Sequence, residues 1–142
     1  MSPLIPRFIL IPAAASSLGV AGCSGTPSAG DAGYRYNLDG RYTSDMMVHQ
    51  TSYSGSMDLA TAPGGGLSGT MKLTAPIPIT AALTGRVSGD SIAFGGPYRT
   101  PDCSGVLRGR GRIADGGRAA WGDVRIDDGC VGAMAGSFRL EK

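Results

Sequence analysis

The single histidine, His49, is the natural candidate for proton transfer, and two hydroxyl side chains, Ser52 and Ser54, follow it closely. Such a set does nucleophilic chemistry only when the base takes the hydroxyl proton and an acid orients the base. No nucleophile elbow or triad signature surrounds these residues, so His49 reads as a solvated rim residue and the chain is not expected to be an enzyme. The adjacent acids Asp127 and Asp128 lead into Gly129, and that composition reads as a turn rather than an acid–base pair. No phosphate-cradling glycine loop, paired-carboxylate motif or metal-ligand cluster is visible, and no cofactor or metal is expected. Two features point outward instead. Trp121 is the only tryptophan, and an exposed Trp is often a contact hot spot. Arg108, Arg110 and Arg112 recur at every second position and would form one basic row. Trp121 and Arg110 are therefore candidate partner contacts.

These residues need a scaffold, and composition limits it. The chain has 142 residues, which suggests one domain. Thirteen Lys and Arg against eleven Asp and Glu leave a net charge of +2, without the basic excess of a nucleic-acid binder. The 24 glycines follow no collagen triplet. Glycine is also a poor helix former, and Glu, Lys and Gln are scarce. The composition predicts an all-β fold.

The first 22 residues look like an address. Arg7 is the only charge before an apolar stretch from Phe8 to Ala21, which is shorter than the roughly 20 apolar residues of a membrane-spanning helix and fits a secretory signal peptide. It ends in Val20, Ala21, Gly22 and Cys23. These four positions resemble the lipobox of bacterial lipoproteins. The resemblance implies cleavage before Cys23, acylation of its thiol and new amino group by palmitate-type chains, and anchoring in the bacterial cell envelope as an exported protein. Ser24, where an Asp would signal retention, implies the outer membrane in a cell with two membranes. Each buried methylene adds about 0.8 kcal/mol of membrane affinity, so several acyl chains make a stable anchor. Residues 23–38, rich in Ser, Gly, Pro and Ala, read as a flexible tether, which leaves 39–142 as the folded domain.

With Cys23 assigned by that resemblance, Cys103 and Cys130 remain as an even pair in an exported chain, where disulfides are permitted. A bridge between them would stabilise the fold by on the order of 3 kcal/mol. One histidine and two widely separated cysteines make a poor metal set.

Five segments repeat one alternating pattern with glycine on the apolar side: Leu67 to Leu73, Leu83 to Gly89, Leu107 to Ile113, Ala120 to Ile126 and Met134 to Leu140. Alternation marks half-buried strands, and interior glycine allows sharp coiling and close strand approach. Gly40–His49, Ser54–Thr61 and Ser91–Tyr98 complete a count of eight. Tight turns with no helices between predict an antiparallel meander, closed into an up-and-down barrel that removes its own edges. In that topology Cys103, between strands five and six, and Cys130, between seven and eight, share one end. The longest connection there runs around Tyr98 to Asp102, and a mouth is expected beside it. The outward set holds Lys72, Arg86, Arg108, Arg110, Arg112, Asp123, Arg125 and Arg139. Arginine facing mid-bilayer costs roughly 2–4 kcal/mol, so the barrel is expected to be tethered to a membrane, not embedded in one.

Gly40, Arg41 and Tyr42 resemble the Gly-x-Trp opening of lipocalin- and avidin-type barrels, with Tyr in place of Trp, and residues 66–70 resemble the start of the avidin third strand. The avidin biotin site does not carry over, because it needs several Trp and this chain has one. The resemblance implies a small eight-stranded barrel. Inward aromatics are few, and small residues at other inward positions leave room for a cavity, so the expected function is the binding of a small apolar ligand. Tyr42, Met46, Phe94, Tyr98 and Phe138 are the candidate lining residues. The alternative is a structural or interaction lipoprotein with a closed core, contacting an envelope protein through its outer face.

Overall fold

The computed structural model describes Tyr34 and residues 36–142. The signal segment 1–22, the lipid-bearing Cys23 and most of the tether lie outside the described residues.

Eight strands follow one another: β1 (Gly40–Val48), β2 (Thr51–Thr61), β3 (Gly66–Ala75), β4 (Ile79–Ser88), β5 (Ser91–Arg99), β6 (Ser104–Ala114), β7 (Ala119–Asp128) and β8 (Gly132–Glu141), with one short 3-10 turn, Asp115–Gly117, before β7. Each strand pairs antiparallel with the next, and β8 returns to β1 to close an eight-stranded up-and-down barrel. All eight strands lie where alternation predicts them. Most extend one to four residues beyond the pattern, because hydrogen bonding continues past the last inward apolar side chain.

The inward positions form a single core. Tyr42, Met57, Met71, Ile92, Leu107, Val124 and Leu140 are among its fully buried members. The inward glycines explain how eight strands curl tightly enough. A Cβ at Gly85 would lie 1.9 Å from the Ala93 carbonyl oxygen, and one at Gly122 would lie 1.9 Å from that of Arg110. At these points the neighbouring backbone occupies the space of a side chain, so only glycine lets the sheet bend there.

The two ends differ. At one end the chain entering β1 forms a stopper. Leu38 is buried, Asn37 N–H donates to the Gly116 carbonyl at 2.9 Å, and the Tyr42 hydroxyl contacts the carbonyls of Leu38 at 3.1 Å and Gly117 at 2.5 Å. Lys142 Nζ donates to the Asn37 carbonyl at 2.9 Å and lies over the Tyr42 ring. Tyr34 and Tyr36 also pack on the core. This corrects the reading of 23–38 as tether throughout. Leu38 and the tyrosines carry enough apolar surface to be drawn onto the barrel, so the packed domain starts before residue 39.

The other end carries the connections after β1, β3, β5 and β7. There Cys103 and Cys130 form a disulfide, with Cα atoms 6.0 Å apart, pinning two adjacent connections together as the meander predicts. Among the described residues, no helix is long and apolar enough to cross a membrane.

Candidate functional site

Inside the disulfide end the barrel is not filled. A cavity of about 350 Å³ opens there, within the range of small-molecule sites. Its walls come from inward positions of most strands, including Met46 and Val48 of β1, Met71 and Leu73 of β3, Leu107 of β6 and Ile126 of β7. The connections add Ile77 and Val131 at the rim, both exposed.

The floor is the packed half of the barrel. Phe94 and Phe138 meet edge to face, with centroids 5.0 Å apart. Phe94 lies against Gly109, where a Cβ would stand 2.3 Å from its ring, and the Phe138 ring approaches Gly111. Of the five candidate lining residues, the structure therefore brings Met46 and Tyr98 to the cavity. Tyr42, Phe94 and Phe138 do not line it. The two phenylalanines fill the volume their facing glycines leave, and Tyr42 is held at the closed end by its hydroxyl contacts. The inward glycines thus act locally. Gly109 and Gly111 let the two rings nest in one half, while the other half stays open.

One side of the cavity is polar. The Tyr98 hydroxyl donates to Asp128 Oδ2. Asp128 Oδ1 accepts the backbone N–H groups of Cys130 at 2.7 Å and Val131 at 3.1 Å. The Tyr98 hydrogen bond first, then the Cys130 and Val131 N–H groups, outweigh burial and hold the Asp128 carboxyl below the usual carboxylate range. Burial, followed by the bond to Asp128, pushes the Tyr98 phenol up. The Thr100 hydroxyl is tied into its own connection, donating to the Cys103 carbonyl at 3.1 Å and accepting the Cys103 N–H at 2.9 Å. His49, Thr51 and Tyr53 complete the polar rim. His49 is exposed; Ser52 and Ser54 do not line the cavity with it.

Sequence reasoning placed Asp128 in a turn. It is the last residue of β7, on the inward parity, and the signal available was its position two residues after Ile126. It also lies beside the cysteines, since carboxylate and sulfur atoms of Cys103, Asp128 and Cys130 fall within 4.8 Å of one another. Both sulfurs are bonded to each other, so this grouping offers no thiolate to an ion.

The outer face is separate from the cavity. Trp121 is about half exposed and stands in register between Arg112 of β6 and Arg139 of β8. Arg110 is opposite Asp123, and Arg108 is directly opposite Arg125. Arg112 is paired with Asp90 and Arg139 with Glu141.

The fold and its one open end define a small closed antiparallel barrel with an interior cavity. No protein-family model and no curated protein matches the chain. Among solved structures it is similar to one described as EF1p2_mFAP2b bound to DFHBI, at 12% identity and a TM-score of 0.58, covering 74% of this chain and 93% of that one. A redesigned β-barrel, mFAP1, bound to DFHBI, matches at 14% identity and a TM-score of 0.49, covering 74% of this chain and 94% of that one. At such identities the first likeness bears on the fold, a small β-barrel, and on nothing finer.

Proposed function

We propose that this chain is an exported, lipid-anchored barrel that holds a small, mainly apolar molecule in its open end. The observation that carries the reading is the cavity of about 350 Å³ with its apolar walls and single polar side. The similar barrel described as bound to DFHBI supports it only in that a barrel of this build can hold a small molecule. Membrane anchoring rests on the Val20–Cys23 sequence.

Native mass spectrometry of the protein from its own cells tests the binding. The expected result is a retained small-molecule mass that is lost in Met134→Trp, because the indole would occupy the cavity from a half-buried lining position. A ligand-free mass under gentle conditions, unchanged by extracts of those cells, would overturn the reading. Detergent phase partitioning tests the anchor. The chain is expected in the detergent phase and Cys23→Ala in the aqueous phase; an aqueous wild type sinks the anchor alone.

A second reading is favoured by Trp121 in its arginine surround, a combination enriched at protein contacts. It predicts that a photocrosslinker at position 121 captures one specific envelope protein in whole cells. Absence of any specific adduct counts against it.

A further inference from the structure

We propose that the open cavity selects apolar molecules whose polar end donates a hydrogen bond or carries positive charge, and that it discriminates against carboxylates. The inference rests on the reading that the cavity binds a small apolar molecule and adds the chemistry of that molecule's head.

The hydroxyl hydrogens of Tyr98 and Thr100 are already committed. Tyr98 O–H donates to Asp128 and Thr100 O–H donates to the Cys103 carbonyl, so both oxygens offer only lone pairs to a guest. A carboxylate has about four lone-pair directions. In Asp128 two on Oδ1 are taken by Cys130 and Val131, and one on Oδ2 is taken by Tyr98. One acceptor position remains on Oδ2. The fixed polar groups therefore ask for a donor.

Charge points the same way. Asp128 is the only acid lining the cavity, and no Lys or Arg lines it. Arg99, next to Tyr98, is exposed on the opposite strand face. His49 is the one lining group able to become positive, and the hydroxyls of Thr51 and Tyr53 can turn to donate or accept. A carboxylate head would meet Asp128 with no fixed cation to offset it. An ammonium or hydroxyl head would complete its hydrogen bonding, and charge-assisted bonds are roughly twice as strong as neutral ones.

The test uses the full chain carrying Cys23→Ala, with its methionine methyl groups labelled for NMR, titrated with octylamine, 1-octanol and octanoate. Met46, Met71 and Met134 line the cavity, whereas Met47 is exposed outside and Met57, buried opposite Met71, does not line it. The expected result is movement of the three lining methyls only, with octylamine binding about tenfold or more tightly than octanoate, a ratio worth about 1.4 kcal/mol, and octanol between them. Asp128→Asn retains an acceptor for the Cys130 and Val131 N–H groups but sets an NH2 donor at the Oδ2 position, and is expected to bring octylamine and octanoate to similar affinities, with octanol, whose hydroxyl accepts as well as donates, changed least. Octanoate binding as well as octylamine, or an order untouched by Asp128→Asn, would overturn the selection and leave apolar binding standing. If none of the three molecules moves the lining methyls, the binding reading itself falls.

Discussion

Ser44 is the one polar side chain buried in the barrel core among the described residues, and its hydroxyl has no hydrogen-bond partner there. An unpaired buried hydroxyl costs about 1–3 kcal/mol, and alanine fills nearly the same space. Ser44→Ala is expected to stabilise the barrel by about 1 kcal/mol, read as a raised urea midpoint with an unchanged slope. Tyr98 and Asp128 give a second test at this scale. Asp128 titrates below its usual range when folded. Its stabilising contribution is therefore present above the unfolded carboxylate value, about 3.9, and is lost as pH falls through the lower folded value. Tyr98→Phe removes the largest cause of that depression. The Asp128 carboxyl is expected to titrate closer to the ordinary value in the variant, yet still below it, because the Cys130 and Val131 N–H groups remain. Carboxyl carbon shifts followed from pH 6 downward check the direction.

Strand by strand, the inward glycines differ in what they face, and the difference predicts a ranking. Beyond Gly109 lies the far end of the Phe94 ring; beyond Gly85 lies the Ala93 carbonyl of the paired strand. A ring can swing toward the cavity, whereas a hydrogen-bonded backbone cannot move without parting β4 from β5. Gly109→Ala is expected to cost about 1–3 kcal/mol, as overpacking usually does, and Gly85→Ala more, both measured by thermal unfolding. Arg108 and Arg125 supply a surface counterpart. They stand directly opposite one another across β6 and β7, an arrangement that like charges disfavour. Arg108→Thr is expected to raise the melting temperature slightly at low salt, with the gain vanishing as salt screens the pair. All eight strands were legible because period-2 alternation and strand burial are one physical fact seen twice. The cavity's height was not legible. Alternation says that Phe94, Phe138 and Met46 all point inward, but not that the two rings would nest against Gly109 and Gly111 and leave the space above them. Leu38 was missed although Tyr34, Tyr36 and Leu38 recur at every second position, because that short run directly follows the Ser-, Gly- and Pro-rich stretch and reads as its continuation.

At the scale of the whole molecule, the barrel is stabilised by different means at its two ends. The closed end depends on burial, with Leu38 and Tyr42 sealing the core. The open end cannot use burial without losing its cavity, and there the Cys103–Cys130 bridge joins connections 27 residues apart, worth about 3 kcal/mol in the chain-entropy account. Strands of nine to eleven residues rising about 3.3 Å per residue keep these devices well beyond the 7–10 Å within which mutational effects couple. Leu38→Ala is expected to lose about 2–5 kcal/mol and to keep ligand binding, since Leu38 does not line the cavity. The double substitution Cys103→Ala with Cys130→Ala is expected to lose about 3 kcal/mol and to weaken binding, because Cys103 and Val131 stand on the rim it frees. Combined, the two losses should add to within about 0.5 kcal/mol. Hydrogen exchange should show faster exchange around residues 115–118 in the first variant and around 100–103 and 129–131 in the second. Strong non-additivity, or loss of binding in Leu38→Ala, would mean that the closed end positions the walls of the open one.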